Sequence, residues 1–314
     1  MAQRAVEAKK ARQAIDRCRA LDPTNPQTGY AEFWLAAPFG DYRARDIAVQ
    51  NMLAASPNDS DAHALAAFHL VNVGRCREAL HHARQAKALD PRDWLASISY
   101  SMALWYTGLV DEAIEAFEAN LQEWPDDNLN AALLIIACAR AGHWSKFESL
   151  IESSRLQKYP LREHEGIVAV AYAVRFPTPE NKAMLLHGLQ SRIKKTGGAD
   201  PVILFWSSHL GLGDAVFDMM RTARFGPTGQ RGELTGIIAY STICMFKALF
   251  PELWQDLRFC NYCARLGLVS YWLETDQWPD CADEVDYDFR QACQDVCTIP
   301  QDHAPDFAHL TSQR

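Results

Sequence analysis

The chain has 314 residues, of which 48% are hydrophobic and 22% charged, and its formal net charge is -8. This acidic balance argues against nucleic acid as the main partner, because binding a phosphate backbone needs a basic surface. No run approaches the ~18 apolar residues that a membrane span needs, and the nine scattered cysteines favour reduced thiols in a cytoplasmic protein.

The first predicted element is a helix over residues 5–21, which ends before Pro23. In the repeat register described next, Ala11, Ile15 and Cys18 fall where the second helix of a pair belongs, so its first helix would precede Met1. We favour the interpretation that the chain is the C-terminal piece of a longer protein. The alternative is an unpaired helix that caps the repeats and leaves part of its apolar stripe bare.

Prolines then mark a regular period. Pro23, Pro57, Pro91 and Pro125 lie 34 residues apart, and Pro160 follows after 35. A fixed period of this length is typical of a repeat architecture. Each unit carries a glycine near its middle, such as Gly74 or Gly108, which can adopt a positive φ in a turn between two helices.

The period divides the chain into helix pairs. The predicted pairs are 26–38 with 42–55, 60–73 with 76–89, 94–107 with 110–123, 128–141 with 144–157, 162–175 with 179–195, and 201–211 with 213–223. Small residues stand where the two helices of a pair cross, for example Ala67 with Ala79 and Ser101 with Ala113. Two units depart from this pattern, because Arg45 and Phe147 occupy the second crossing position.

This pattern resembles the tetratricopeptide repeat, a 34-residue helix-turn-helix. The resemblance implies an all-α, right-handed α-solenoid of TPR-like helix hairpins over residues 1–225. A loop at 226–232, helices at 233–248 and 252–267, and an acidic tail are predicted to form a C-terminal helical cap over residues 226–314.

The C-terminal stretch carries a second resemblance. Arg258-Phe259, the run 265–268, Tyr271-Trp272 and the run 278–280 are similar to the end of bacterial tetratricopeptide proteins that follow a winged-helix or nucleotide-cyclase domain. That resemblance implies the regulatory part of a bacterial signalling or transcription regulator.

A solenoid of this kind places the first helix of each pair on its concave wall. We therefore expect a binding groove whose wall is largely apolar and aromatic, with few polar groups. The predicted lining residues are Tyr30, Trp34, Phe68, Asn72, Ile98, Met102, Trp105, Tyr106, Ile136 and Arg140. Such a wall fits an amphipathic helix or a small apolar ligand, unless the chain's own later helices cover it. Binding of a peptide through its C-terminal carboxylate is disfavoured, because Arg140 is the only residue on this wall that offers a suitable positive charge.

Other motifs offer weaker alternatives. Cys260 and Cys263 form a C-x2-C that, with two of Cys281, Cys293 and Cys297, could hold a structural zinc. Of these three we select Cys281 and Cys293, although Cys260 and Cys263 also suit packing as small apolar groups. His81 and His82 are predicted to be solvated, and Glu163-His164-Glu165 to be surface charge.

We therefore expect a non-catalytic recognition module that binds a protein or peptide partner, or a small apolar ligand, and needs no cofactor. The alternatives are an enzyme or zinc protein centred on the C-terminal cysteines and histidines, and a structural subunit that self-associates as a homo-oligomer.

Overall fold

The computed structural model describes residues 2–22, 25–36, 40–152, 161–196, 198–199, 207–222, 224–225, 243–246 and 251–298. Across these ranges the chain is helical apart from two short strands, and consecutive helices pack against one another as in an α-solenoid. The predicted fold class and the TPR-like helical repeat are confirmed. Within the described part, no helix has the length and apolarity to cross a membrane.

The repeat region contains eleven of the described helices. They are α1 (Ala2–Leu21), α2 (Pro26–Leu35), α3 (Tyr42–Ala55), α4 (Ser60–Asn72), α5 (Cys76–Leu89), α6 (Trp94–Tyr106), α7 (Val110–Glu123), α8 (Asn128–Ala141), α9 (Trp144–Glu152), α10 (Leu161–Arg175) and α11 (Pro179–Thr196). Most bounds lie within three residues of those that the 34-residue period predicts.

The C-terminal part has shorter elements. They are α12 (Gly213–Thr222), a 3-10 turn (Ile243–Phe246), α13 (Pro251–Trp254), α14 (Arg258–Arg265), α15 (Leu268–Thr275), a second 3-10 turn (Asp280–Asp283) and α16 (Phe289–Thr298). Two-residue strands β1 (Gly198–Ala199) and β2 (Arg224–Phe225) pair in parallel. The predicted loop at 226–232 and most of the helix predicted at 233–248 lie outside the described residues.

One predicted helix is divided in the structure. The sequence predicts a helix over 252–267, but α13 ends at Trp254 and α14 begins at Arg258. The break has a local cause, because the Asp256 side chain accepts a hydrogen bond from the Arg258 backbone N–H at 2.9 Å. An aspartate in this position caps a new helix rather than continuing the previous one.

The hairpin turns have the backbone geometry that the period predicts. Gly40, Gly74, Gly108 and Gly142 all have φ between 76° and 87°, the left-handed region that glycine adopts without steric cost. The helix that follows can then fold back against the one before it. Asp127, which precedes α8, accepts hydrogen bonds from the backbone N–H groups of residues 129 and 130 and caps that helix as expected.

Small residues lie at the helix crossings. Ala67 and Ala79 are each at most 1% exposed and allow the backbones of α4 and α5 to approach closely. Ser101 of α6 and Ala113 of α7 are equally buried. Arg45 replaces a small residue and is nevertheless buried. Its guanidinium lies 5.3 Å from the centre of the Phe33 ring, where a cation is attracted to the face of the aromatic ring.

The chain divides into two compact units. The first combines residues 1–103 with 260–314, and the second comprises residues 104–259. The C-terminal helices of the first unit therefore form a cap on its own N-terminal hairpins, as a bond between the Asp280 backbone N–H and the Gly74 carbonyl shows. The sequence places a domain boundary between residues 225 and 226, and that boundary stays a prediction.

Candidate functional site

Most of the predicted groove wall is buried in the described structure. These residues are at most 8% exposed: Phe68, Asn72, Ile98, Met102, Trp105, Tyr106 and Ile136. Asn72 uses its side-chain amide to donate to the Phe68 carbonyl at 2.8 Å. Their side chains pack within the chain itself, and their role in binding stays a prediction.

Arg140, the cation predicted on this wall, is engaged within the second unit. Its guanidinium donates to Nε2 of His209 at 2.5 Å. Nδ1 of His209 lies 3.5 Å from a carboxylate oxygen of Glu252. Burial and the Arg140 charge lower the pKa of His209, so at neutral pH the imidazole is uncharged and can accept the bond from arginine.

Tyr30 and Trp34 are the predicted wall residues that remain accessible in the first unit. Trp34 is 38% exposed, and Tyr30 is half-buried. Their ring centres lie 6.3 Å apart, and Trp34 also contacts Phe33 and Phe68 edge-on or tilted. The indole is therefore held by aromatic neighbours on one side and faces solvent on the other.

Trp34 lines an apolar cavity of about 470 Å³ between α1 and α2. The remaining lining residues are Ala11, Ala14, Ile15, Cys18, Asn25, Gln27, Thr28, Ala31 and Leu35. We call this cavity the α1–α2 groove. Its volume is within the range of about 300–1,000 Å³ that ligand sites occupy.

The sequence of α1 explains one wall of the groove. Ala11, Ala14, Ile15 and Cys18 recur at intervals of three and four residues, and such residues share one face of a helix. Ile15 is buried, whereas the other three are exposed. The apolar stripe of α1 is therefore only partly covered by α2.

A close helix contact positions the other wall. A Cβ atom on Gly29 would clash with the Met52 side chain and lie 3.2 Å from the backbone carbonyl oxygen of Ala48, so the close approach of α2 to α3 favours glycine here. The Asn25 side chain caps α2 by accepting from the backbone N–H of Gln27 at 3.0 Å. These contacts fix the orientation in which α2 presents Ala31 and Trp34.

The outer edge of the groove is basic. Lys10 and Arg17 are exposed and lie seven residues apart on α1, and helical spacing places both on the flank of the stripe next to Ala14, away from Ile15. On the opposite side, Arg19 forms an ion pair with Glu32 of α2. The exposed basic edge lies beside an apolar surface in a chain that is acidic as a whole.

The four cysteines of the zinc alternative are free and buried. Cys260 Sγ lies 3.6 Å from the hydroxyl oxygen of Tyr287, and burial raises the pKa of the Cys263 and Cys281 thiols. Among the described residues, no three His, Cys, Asp or Glu side chains are placed to hold a metal ion together. The zinc alternative, built on Cys260, Cys263, Cys281 and Cys293, gains no support from this arrangement.

Sequence reasoning missed a histidine pair. His82 is half-buried rather than solvated, and its Nδ1 lies 2.9 Å from Nδ1 of His63. The repeat register places His63 and His82 on the two helices of one hairpin, but it does not show that their side chains meet. Glu163-His164-Glu165 lies in α10, but its side chains are outside the described residues.

Comparisons with known proteins do not assign the chain to a family. No protein-family model matches the chain, and no curated protein matches it. The solved structures it resembles include a chain in a structure of Naa15/Naa10 bound to HypK-THB, with a TM-score of 0.36 and 14% identity over 95% of this chain. This chain spans 40% of the length of that neighbour. At such a TM-score the likeness carries no argument about function, and the predicted resemblance to bacterial regulators has no support in these comparisons.

Proposed function

We propose that the chain is a non-catalytic recognition module that binds an amphipathic helix of a partner protein in the α1–α2 groove. The observation that carries this proposal is an exposed tryptophan, Trp34, beside an apolar stripe that no described element covers fully. Tryptophan is enriched among residues that dominate binding energy at protein interfaces.

The groove suits a helix because its walls are themselves helical. The stripe on α1 extends from Ala11 through Cys18 to Leu21, which is 78% exposed. A partner helix with apolar residues every three or four positions can pack its ridge along such a surface. The volume of about 470 Å³ is roughly three times the cavity left by truncation of one buried leucine, enough for several apolar side chains.

The charges beside the groove indicate what flanks the apolar face of the partner. Lys10 and Arg17 would lie next to any helix seated along α1. Acidic residues beside the partner's apolar stripe would pair with them, whereas basic residues would be repelled. The partner class is therefore an amphipathic helix with an acidic flank. The finer role, in which such binding regulates an attached output domain, rests only on the resemblance of the C-terminal residues.

Two synthetic 18-residue peptides test the proposal. Both carry the same leucine stripe at helical spacing, but one is flanked by glutamate and the other by lysine. Fluorescence anisotropy of the labelled peptides against the full chain measures both affinities. We expect the glutamate-flanked peptide to bind more tightly, and Ala14→Glu to abolish its binding by placing a charge in the groove.

Charge reversal provides the sharper comparison. The double variant Lys10→Glu, Arg17→Glu should reverse the order of the two affinities, so that the lysine-flanked peptide binds more tightly. The matched control Arg84→Glu, Arg92→Glu makes the same change in net charge on exposed residues elsewhere and should leave the preference unchanged. The proposal is contradicted if neither peptide binds. It is also contradicted if both peptides bind with equal affinity and Ala14→Glu leaves those affinities unchanged. A chain that self-associates through Ala14 and Trp34 would instead identify a second copy as the occupant, and would also contradict it.

A further inference from the structure

His63 and His82 face each other across the hairpin of α4 and α5. Their Nδ1 atoms are 2.9 Å apart, their ring centres are 5.1 Å apart, and both side chains are half-buried. The pair is therefore accessible to a small ion from solvent. It lies on residues that the α1–α2 groove does not use.

A backbone carbonyl fixes the tautomer of one ring. Nε2 of His63 lies 3.0 Å from the carbonyl oxygen of Pro57. Because a carbonyl oxygen only accepts, Nε2 carries the proton, and the lone pair of His63 is on Nδ1, directed toward His82. Histidines that bind metals almost always donate their other ring N–H to a carbonyl, a carboxylate or water, and His63 already has this arrangement.

We propose that His63 and His82 together chelate a divalent ion of the late first transition row, through their two Nδ1 atoms, and so join α4 to α5. Imidazole nitrogens are the preferred ligands of copper, nickel and zinc among such ions. The ion takes the place of the proton shared between the rings, and the proton of His82 moves from Nδ1 to Nε2. No net proton is lost, and no electron is transferred.

The separation of the two nitrogens favours one coordination geometry. Bonds of about 2.05 Å that meet at a right angle place two ligand atoms about 2.9 Å apart, whereas a tetrahedral angle separates them by about 3.3 Å. The hydrogen-bonded separation of 2.9 Å is close to that of adjacent ligands around a square-planar or octahedral ion, so the two rings need little movement to bind Cu²⁺ or Ni²⁺.

The site is incomplete within the chain. The described residues contain no group of three side chains placed to hold one ion, so water or a group from another molecule would fill the other positions.

Nickel titration of the full chain tests the proposal. Exposed thiols are removed first by Cys18→Ser and Cys297→Ser, so that they do not compete for metal. Calorimetry should find one Ni²⁺ per chain, and His63→Ala or His82→Ala should each weaken binding by about tenfold or more. Ni²⁺ should also raise the midpoint of thermal unfolding in the parent and not in these variants, because the ion binds only the folded hairpin.

His81 provides the matched control. It is adjacent to His82 on α5 and exposed, with its ring perpendicular to that of His82 rather than aligned with it. His81→Ala should retain the affinity and the thermal shift. Circular dichroism checks that all variants keep their helices. Nickel binding that survives the double change of His63 and His82, or that falls equally with His81→Ala, overturns the assignment.

Discussion

Trp272 donates a hydrogen bond from its indole nitrogen to the carbonyl oxygen of Val73 at 3.0 Å, across 199 residues of sequence. Val73 follows α4 and precedes the turn glycine Gly74, so its carbonyl lies at the end of a helix. Such carbonyls lack partners within their helix. The C-terminal segment therefore satisfies a group that the repeat leaves unpaired.

Trp272→Ala should destabilise the first unit by about 3–5 kcal/mol, because the indole is fully buried and its loss leaves a cavity. Trp272→Phe should cost less but still lower the free energy of unfolding, since the Val73 carbonyl then loses its donor. Urea unfolding measures both effects. Leu273→Ala, at a neighbouring side chain that is 37% exposed, serves as the control and should cost less than either. If all three substitutions lowered the free energy of unfolding by similar amounts, the contact between Trp272 and Val73 would contribute little to stability.

Gly267→Ala should destabilise the attachment of the same segment. Gly267 has φ 81°, and a Cβ atom there would lie 2.8 Å from the Cα atom of Gly40. Alanine at this position would strain the backbone and also clash with Gly40. The backbone strain alone should lower the free energy of unfolding by about 1–3 kcal/mol. Gly188→Ala is the matched control, because nothing lies within 4 Å of an added Cβ inside α11, and it should stabilise by about 0.5–1 kcal/mol. Thermal unfolding of the two variants should therefore shift in opposite directions, and a neutral Gly267→Ala would be evidence against the close approach.

His69 should make the protein sensitive to mild acid. Burial, followed by the positive charges of Arg45 and Arg75, lowers the pKa of His69 from 6.5 to about 3. The groups that face its Nε2 are Tyr271, 3.4 Å away, and Asp46, 3.9 Å away. Between these pH values the unfolded chain binds a proton that the folded chain does not.

Stability should therefore rise with pH across that window and fall as pH drops below about 6.5, by up to about 1.4 kcal/mol per pH unit. His69→Gln should reduce this slope while the Arg45 and Asp46 side chains remain. Free energies of unfolding at pH 4.5, 5.5 and 6.5 give the comparison. An unchanged slope in the variant would mean that other groups cause the acid sensitivity.

Ala113→Leu should overpack the site of Ala113 on α7, which the repeat register assigns to a helix crossing. Ala113 is 0% exposed, and insertion of a larger side chain into a close-packed site costs about 1–3 kcal/mol. Glu115→Leu, at an exposed position of the same helix, introduces the same side chain without a crossing and should change stability little. Chemical denaturation distinguishes the two, and equal effects would contradict the assignment of Ala113 to a crossing.

The sequence alone was enough to predict the hairpins, because the information that forms them is local. Proline and glycine at fixed spacing mark where helices begin and turn, so the bounds of α3, α5 and α7 agree with the prediction at both ends. The long-range contacts could not be predicted from such local signals. No periodic signal indicates that Trp272 pairs with Val73, since that contact depends on how two distant surfaces fit.

The candidate site was predicted only in part. The repeat register identified Trp34 as a wall residue, and the structure leaves it exposed. It placed Trp105 and Phe68 on the same wall, but both are buried, because a register shows which face a residue occupies and not what later packs against that face. His63 and His82 were missed for a similar reason, since each is ordinary alone and only their 2.9 Å separation makes them a pair.

The most direct test of the proposed function is the affinity of the glutamate-flanked peptide for the full chain and for Trp34→Ala. Phe176→Ala, which removes an aromatic residue that is 48% exposed elsewhere, is the control. If the α1–α2 groove binds the helix, loss of the indole should weaken binding by about 30-fold, as loss of an interface anchor worth about 2 kcal/mol does, and the control should bind like the parent. Equal affinities for the parent and Trp34→Ala, with both proteins folded, would contradict the account.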